Sequence, residues 1–155
     1  MDNTWILVVT IALMLISPAL YARESAKPIV NVFYKQKAPS LSTLEKVNEV
    51  LDGFRDVYDI RYYNIEDEAN LELIESLGLP STHFPFAVVI DGRFSIQTEH
   101  GVASFVHFPD FMGGIGRHEG NWTVTDLESA LKDNSLLLEA NILPELEQES
   151  EGQCE

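Results

Sequence analysis

Val30-Asn31-Val32-Phe33-Tyr34-Lys35-Gln36-Lys37-Ala38-Pro39-Ser40 is the stretch on which the fold turns. The apolar, β-branched and aromatic residues from Ile29 to Tyr34 predict a central strand. Polar residues and Pro39 then predict a tight turn. Beyond it Leu44, Val47, Leu51, Phe54 and Tyr58 recur at spacings of three, four, three and four, the stripe of an amphipathic helix. Ser42, with Glu45 three residues on, forms a capping-box signature for its start.

Outward from this unit the chain goes on alternating. Ile60 to Ile65 predicts a second strand. Ala69, Leu73, Ile74 and Leu77 predict a shorter helix, with Gly78 where a C-terminal capping glycine belongs. Phe86 to Ile90 is a further apolar strand. Asp91-Gly92 predicts a primed hairpin turn that returns Phe94 to Thr98 as its antiparallel partner. Thr125-Asp126-Leu127-Glu128 reads as a second capping box, opening a helix through Leu127, Ala130, Leu131, Asn134 and Leu138. The order β-α-β-α-β-β-α means parallel strands joined by crossover helices, plus one antiparallel hairpin. There are no internal repeats.

A chain of 155 residues with 45% apolar content suits one domain with a real core. Its net charge of −15 argues against nucleic acid or anionic lipid as partners, which reward clustered Lys and Arg. Part of the excess sits in residues 139–155, with six glutamates and no basic residue, read as a flexible acidic tail. Cys154 is the one cysteine, so no disulfide can form within the chain. Its remaining role would be a tethering thiol to another chain.

Trp5 to Ile16 is an uncharged run of twelve residues, followed by Ser17-Pro18 and small residues at Ala19 and Ala22. This is the layout of a secretory signal over residues 1–22, short for a span, which needs roughly 20 residues. Asp2, with no Lys or Arg before the run, departs from that layout. Export to the periplasm or the outside is the expectation, with an uncleaved anchor over residues 4–21 as the alternative.

Over roughly Lys27 to Asn134 the chain resembles the thioredoxin-like superfamily. The strand-turn-helix segment aligns without a gap to that family's active-site strand and loop, with Pro39 matching the proline between its two cysteines. Tyr63-Asn64-Ile65-Glu66-Asp67-Glu68, followed by a helix ending in Leu77-Gly78-Leu79, resembles its second central strand and acidic turn. Phe84-Pro85-Phe86 falls where the family keeps a cis-proline, and Asp91-Gly92-Arg93-Phe94 matches the hairpin that follows. The resemblance implies a three-layer α/β fold over residues 27–138, with a mixed central sheet, flanking helices and an insertion before the last helix.

The family's redox machinery does not carry over. Lys37 stands at the nucleophilic cysteine position, Ser40 at the resolving one, Gln36 replaces the tryptophan and Asn31 the buried acid. Exchange requires a thiolate attacking a disulfide, and neither amine nor hydroxyl substitutes. Dithiol-disulfide activity is therefore not expected.

His83, His100, His107 and His118 lie close in sequence, but their spacings of 17, 7 and 11 match no short zinc motif. No metal and no cofactor is expected. Gly113-Gly114-Ile115-Gly116 lacks a phosphate-loop ending and reads as a flexible loop. Asn121-Trp122-Thr123 is a weak glycosylation sequon. The insertion Gly101 to Asn121 carries Phe105, Val106, Phe108, Phe111 and Met112. Two readings stand for it: a lid packed on the body, or a partner-binding surface.

The expectation is an exported, redox-inactive binding module for a protein or peptide. Its groove would be lined by Gln36, Lys37, Ala38, Pro39, Ser40, His83, Phe84, Pro85, Phe86, Phe108 and Phe111. The alternative is an enzyme reusing that groove with histidine- or metal-dependent chemistry.

Overall fold

The computed structural model describes residues 26–80, 84–110 and 119–144. Strand β1 (Ile29–Tyr34) is interior to a three-stranded mixed sheet. β2 (Asp59–Asn64) runs parallel to it on one side, β3 (Phe86–Ile90) antiparallel on the other. Every residue of β3, and Val30 to Phe33 of β1, is buried, as expected for strands covered on both faces. β2 is a different kind of strand. Asp59, Arg61 and Tyr62 are exposed, and among the described residues β2 pairs only with β1.

Helix α1 (Ser40–Leu51) buries Ser40, Thr43, Val47 and Leu51. Its N-cap lies three residues earlier than the box implies: Pro39 is the N-cap and no side chain caps it, so Ser42 and Glu45 lie within the helix. Proline's fixed φ suits a helix entrance, and two backbone bonds, Leu41 N to Lys37 O and Thr43 N to Pro39 O, secure the first turn. A short 3-10 turn over Asp52–Phe54 ends the helix. Tyr58 then reaches across to α3 (Val124–Lys132), its hydroxyl 3.0 Å from the Leu131 carbonyl and 2.7 Å from Asn134 Oδ1.

Helix α2 (Leu71–Ser76) closes as its glycine predicts. Gly78 has φ +73, Gly78 N donates to Glu75 O, and Leu79 N donates to Ile74 O. The buried pair Ile74 and Leu79 completes this Schellman arrangement.

The hairpin departs from expectation. The Asp91-Gly92 turn forms, with φ +49 and +80 and reciprocal bonds between Ile90 and Arg93. The returning strand, β4 (Ser95–Thr98), then leaves β3 and pairs antiparallel with an unforeseen strand, β5 (Gly101–Ser104). The edge of β3 is filled instead by the next residues. Val88 N donates to Phe105 O and His107 N to Phe86 O, both at 2.9 Å. A buried strand cannot leave its amides unpaired, so the first part of the insertion supplies what the hairpin does not.

The base of that insertion is core. Phe105, Val106, Phe108 and Trp122 are buried, and the Phe105 and Trp122 rings meet edge to face at 5.4 Å. Gly120 N to Phe108 O and Asp110 N to Trp122 O, both 2.7 Å, close its neck. Of the apolar residues named for the insertion, Phe105, Val106 and Phe108 therefore pack on the body as the lid reading expects. Phe111, Met112 and the glycine-rich stretch lie outside the described residues.

Helix α3 is capped by Thr123 and Asp126, which exchange reciprocal backbone bonds, two residues upstream of the predicted box. A 3-10 turn, Asn134–Leu136, follows. The packed chain runs past the expected boundary at 138: Leu137 is buried, and Leu138, Asn141 and Ile142 hydrogen-bond to the β4 hairpin. The signal segment and residues 145–155 with Cys154 lie outside the described residues. Among the described residues no helix is long and apolar enough to cross a membrane.

Gly120 gives a sharp packing test. A Cβ there would sit 2.5 Å from Val106 O and 2.9 Å from Trp122 Cδ1. A backbone oxygen cannot yield as a flexible side chain does, so Gly120→Ala is expected to cost about 1–3 kcal/mol in urea denaturation. Gly53→Ala, with nothing within 4 Å, is the control and should leave the midpoint nearly unchanged.

Candidate functional site at the turn after β1

The register of β1 assembles the site. Tyr34, its last residue, lies opposite Asn64 of β2 and Phe86 of β3. The chain leaving β1, the chain leaving β2 and the chain entering β3 therefore meet at one end of the sheet. Three segments are gathered there: residues 35–40, 65–67 and 84–85.

Ser40 joins two of them. Its Oγ accepts from Lys35 N at 2.9 Å, closing the turn on itself, and donates to Pro85 O at 3.0 Å, tying the turn to the β3 entrance. Ser40 is 1% exposed, so both partners would be stranded without it. Pro39 and Pro85 thus belong to adjoining loops, as expected. The cis bond is misplaced in that expectation. Ala38–Pro39 is cis, and Phe84–Pro85 is not. Sequence alone could not separate the two prolines, since either could occupy a turn.

Lys37 joins the third segment. Its ammonium meets Glu66 Oε1 at 2.8 Å across a solvent-exposed gap. That hydrogen bond, more than the Coulombic pull of Lys37 and Lys35, holds the Glu66 carboxyl below its ordinary value of 4.5.

The predicted groove residues separate into two sets. Gln36, Lys37 and Ala38 are exposed, Pro39 is half-buried, and Ser40 and Pro85 lie beneath them. Phe84, Phe86 and Phe108 are 1%, 0% and 4% exposed and belong to the hydrophobic core, so the expected apolar floor does not face solvent. Alternating burial could not be read from Phe-Pro-Phe, where both aromatic residues sit at the start of a strand covered on both faces. His83 and Phe111 lie outside the described residues.

Of the remaining histidines, His100 is exposed and His107 is buried with φ +70. His118 lies outside the described residues. Among the described residues no three His, Cys, Asp or Glu side chains gather as a metal site. Asn31 is 8% exposed within β1, a neutral amide between Arg61 and Val89 in the ladder. Sequence reasoning missed Glu66 as a site residue. The signal was present in its acidic turn, directly after a strand parallel to β1.

No family model, curated protein or solved structure matches this chain.

Two measurements probe the site. Ser40→Ala is expected to cost about 1–3 kcal/mol of stability, since it leaves the Lys35 amide and the Pro85 carbonyl without their partner. Lys37→Ala should move the Glu66 titration upward, read by carboxyl NMR. The direction follows from linkage. A carboxylate lowered in the folded state adds stability above its unfolded pKa and loses it as pH falls through the lowered value. Acidification below the ordinary carboxylate range should therefore abolish the difference between wild type and Lys37→Ala.

Proposed function

We propose that the chain is an exported, redox-inactive member of the thioredoxin-like superfamily that works as a binding module. In this reading the tip Gln36-Lys37-Ala38-Pro39 is the contact surface. The observation that carries it is the fate of Ser40. At the position that aligns with the resolving cysteine, a hydroxyl is buried and spent on two backbone groups. A group committed in this way braces a loop; it does not react.

The β1-α1-β2 unit, the antiparallel β3 and the contact between α1 and α3 support the superfamily reading. The exposed tip supports the contact surface, because Ser40 ties its loop to the β3 entrance while Gln36, Lys37 and Ala38 stay in solvent. Export rests on the apolar run Trp5 to Ile16.

The test uses photo-crosslinking in the native host. A crosslinkable residue at Gln36 or Ala38 should give a discrete adduct in the exported fraction. The same residue at Glu49, exposed on α1, should not. Equal adducts at all three positions, or none at the tip, would overturn the contact surface.

A further inference from the structure

Residues 137–142 lie against the free edge of β4 as a short strap that bends at Glu139 and Ala140, so that Leu138 and Ile142 both meet Ser95. Leu137 bridges antiparallel to Ile96, and Leu138 N donates to Ser95 O at 2.8 Å. Beyond this the recognition changes character. Asn141 reads the hairpin turn with both ends of its amide: Oδ1 accepts from Phe94 N at 2.8 Å and Nδ2 donates to Gly92 O at 2.9 Å. Ser95 and Ser104, 0% and 1% exposed, read the main chain of the next residue in return. Ile142 N donates to Ser95 Oγ at 2.8 Å, and Ile142 O accepts from Ser104 Oγ, with Ser95 Oγ at 3.1 Å.

Apart from Leu137, the strap buries almost nothing. Glu139 to Leu143 are exposed, and the side chains of Ile142 and Leu143 stand in solvent at 45% and 44%. Hydrogen bonds at a sheet edge, with little apolar burial behind them, characterise segments that open locally without global unfolding. Two buried hydroxyls aimed at a main chain form a docking site for a peptide that bends as residues 139–140 do.

We propose that the β4 edge is a peptide-docking site which the chain occupies with its own residues 137–142, and that its partner is a segment of another protein that takes the same bent course. The contacts specify that segment. It carries an apolar residue in the place of Leu137 and an asparagine four residues later. The residue after the asparagine is any except proline, because its N–H must donate to Ser95. The site lies on the second sheet and does not depend on the tip at residues 36–39.

The probe is a labelled synthetic peptide of residues 136–144, measured by fluorescence anisotropy against the full-length protein. Asn141→Ala should release the strap and bind the peptide at least tenfold more tightly than wild type does. Ile142→Pro, which removes the amide donor instead, should do the same. Peptides carrying either substitution should not bind. A folded variant that ignores the peptide, or binding indifferent to the asparagine, would overturn the proposal. Hydrogen exchange on wild type decides the matter even where a variant fails to fold. The Leu138 and Ile142 amides should exchange at least tenfold faster than that of Val88 in the core. Exchange of all three at one rate would mean that the strap opens only with the whole fold, and the proposal would fall.

Discussion

The pairing of β1 on both edges is the constraint from which the remaining structure follows. A strand with a parallel neighbour must be joined to it by a crossover, and α1 with its 3-10 extension fills that role. A strand with an antiparallel neighbour on the other side brings the start of that neighbour to its own end. Tyr34 lies between Asn64 and Phe86, so a turn, an acidic loop and a proline loop converge without any further instruction. Ser40 and Glu66 then consolidate a meeting that register has already arranged. Slippage by one residue would turn Phe33 and Val32 to opposite faces and separate all three loops.

The parts of the chain that were legible in sequence are those ruled by local chemistry. Gly78 and the Asp91-Gly92 turn state a backbone conformation that few residues can adopt, the apolar run of β1 states a buried strand, and each is found as read. Capping was less legible, because a box is a pattern of bonds and not of letters. Thr123 and Asp126 make one with aspartate in place of glutamate, while Ser42 and Glu45 have the letters without the geometry. Beyond the β1–β2 crossover, long-range strand choices were not legible. Nothing local says that β4 will desert β3 for β5, or that Phe105 to His107 will take its place. The same gap hid the candidate site's true extent. Phe84, Phe86 and Phe108 have the composition of a groove, and only the covering of both sheet faces sends them inward.

The two halves of the molecule are held by different means. The first sheet is joined by continuous ladders over a core of Val, Phe and Ile, with area burial doing most of the stabilising. In the second half, single side chains bond to distant backbone. Asn121 accepts from Ser104 N and donates to Val102 O, Asn141 spans Phe94 and Gly92, and Ser95 with Ser104 holds Ile142. Each such contact is worth only about 0.5–1.5 kcal/mol net, yet removing one partner strands the other. Asn121 is also the acceptor residue of the sequon. A glycan on its amide nitrogen would have to share that nitrogen with Val102, so the side chain's place in the fold competes with its modification.

This difference bears on how the two proposed surfaces would compete for partners. The tip at residues 36–39 is open, and a ligand there meets only the Lys37–Glu66 pair, which solvent and salt already weaken. The β4 edge is closed by a tethered segment, whose effective concentration is on the order of millimolar for a short connection. A segment arriving from another protein must outcompete that, so its apparent affinity is reduced by a factor equal to the fraction of time the strap is open. An open tip can therefore engage weakly and quickly, whereas the edge responds only to a ligand that matches the asparagine and both main-chain contacts. Selectivity at the edge arises from the occupied resting state itself: a segment lacking any one of those contacts binds less well than the chain's own.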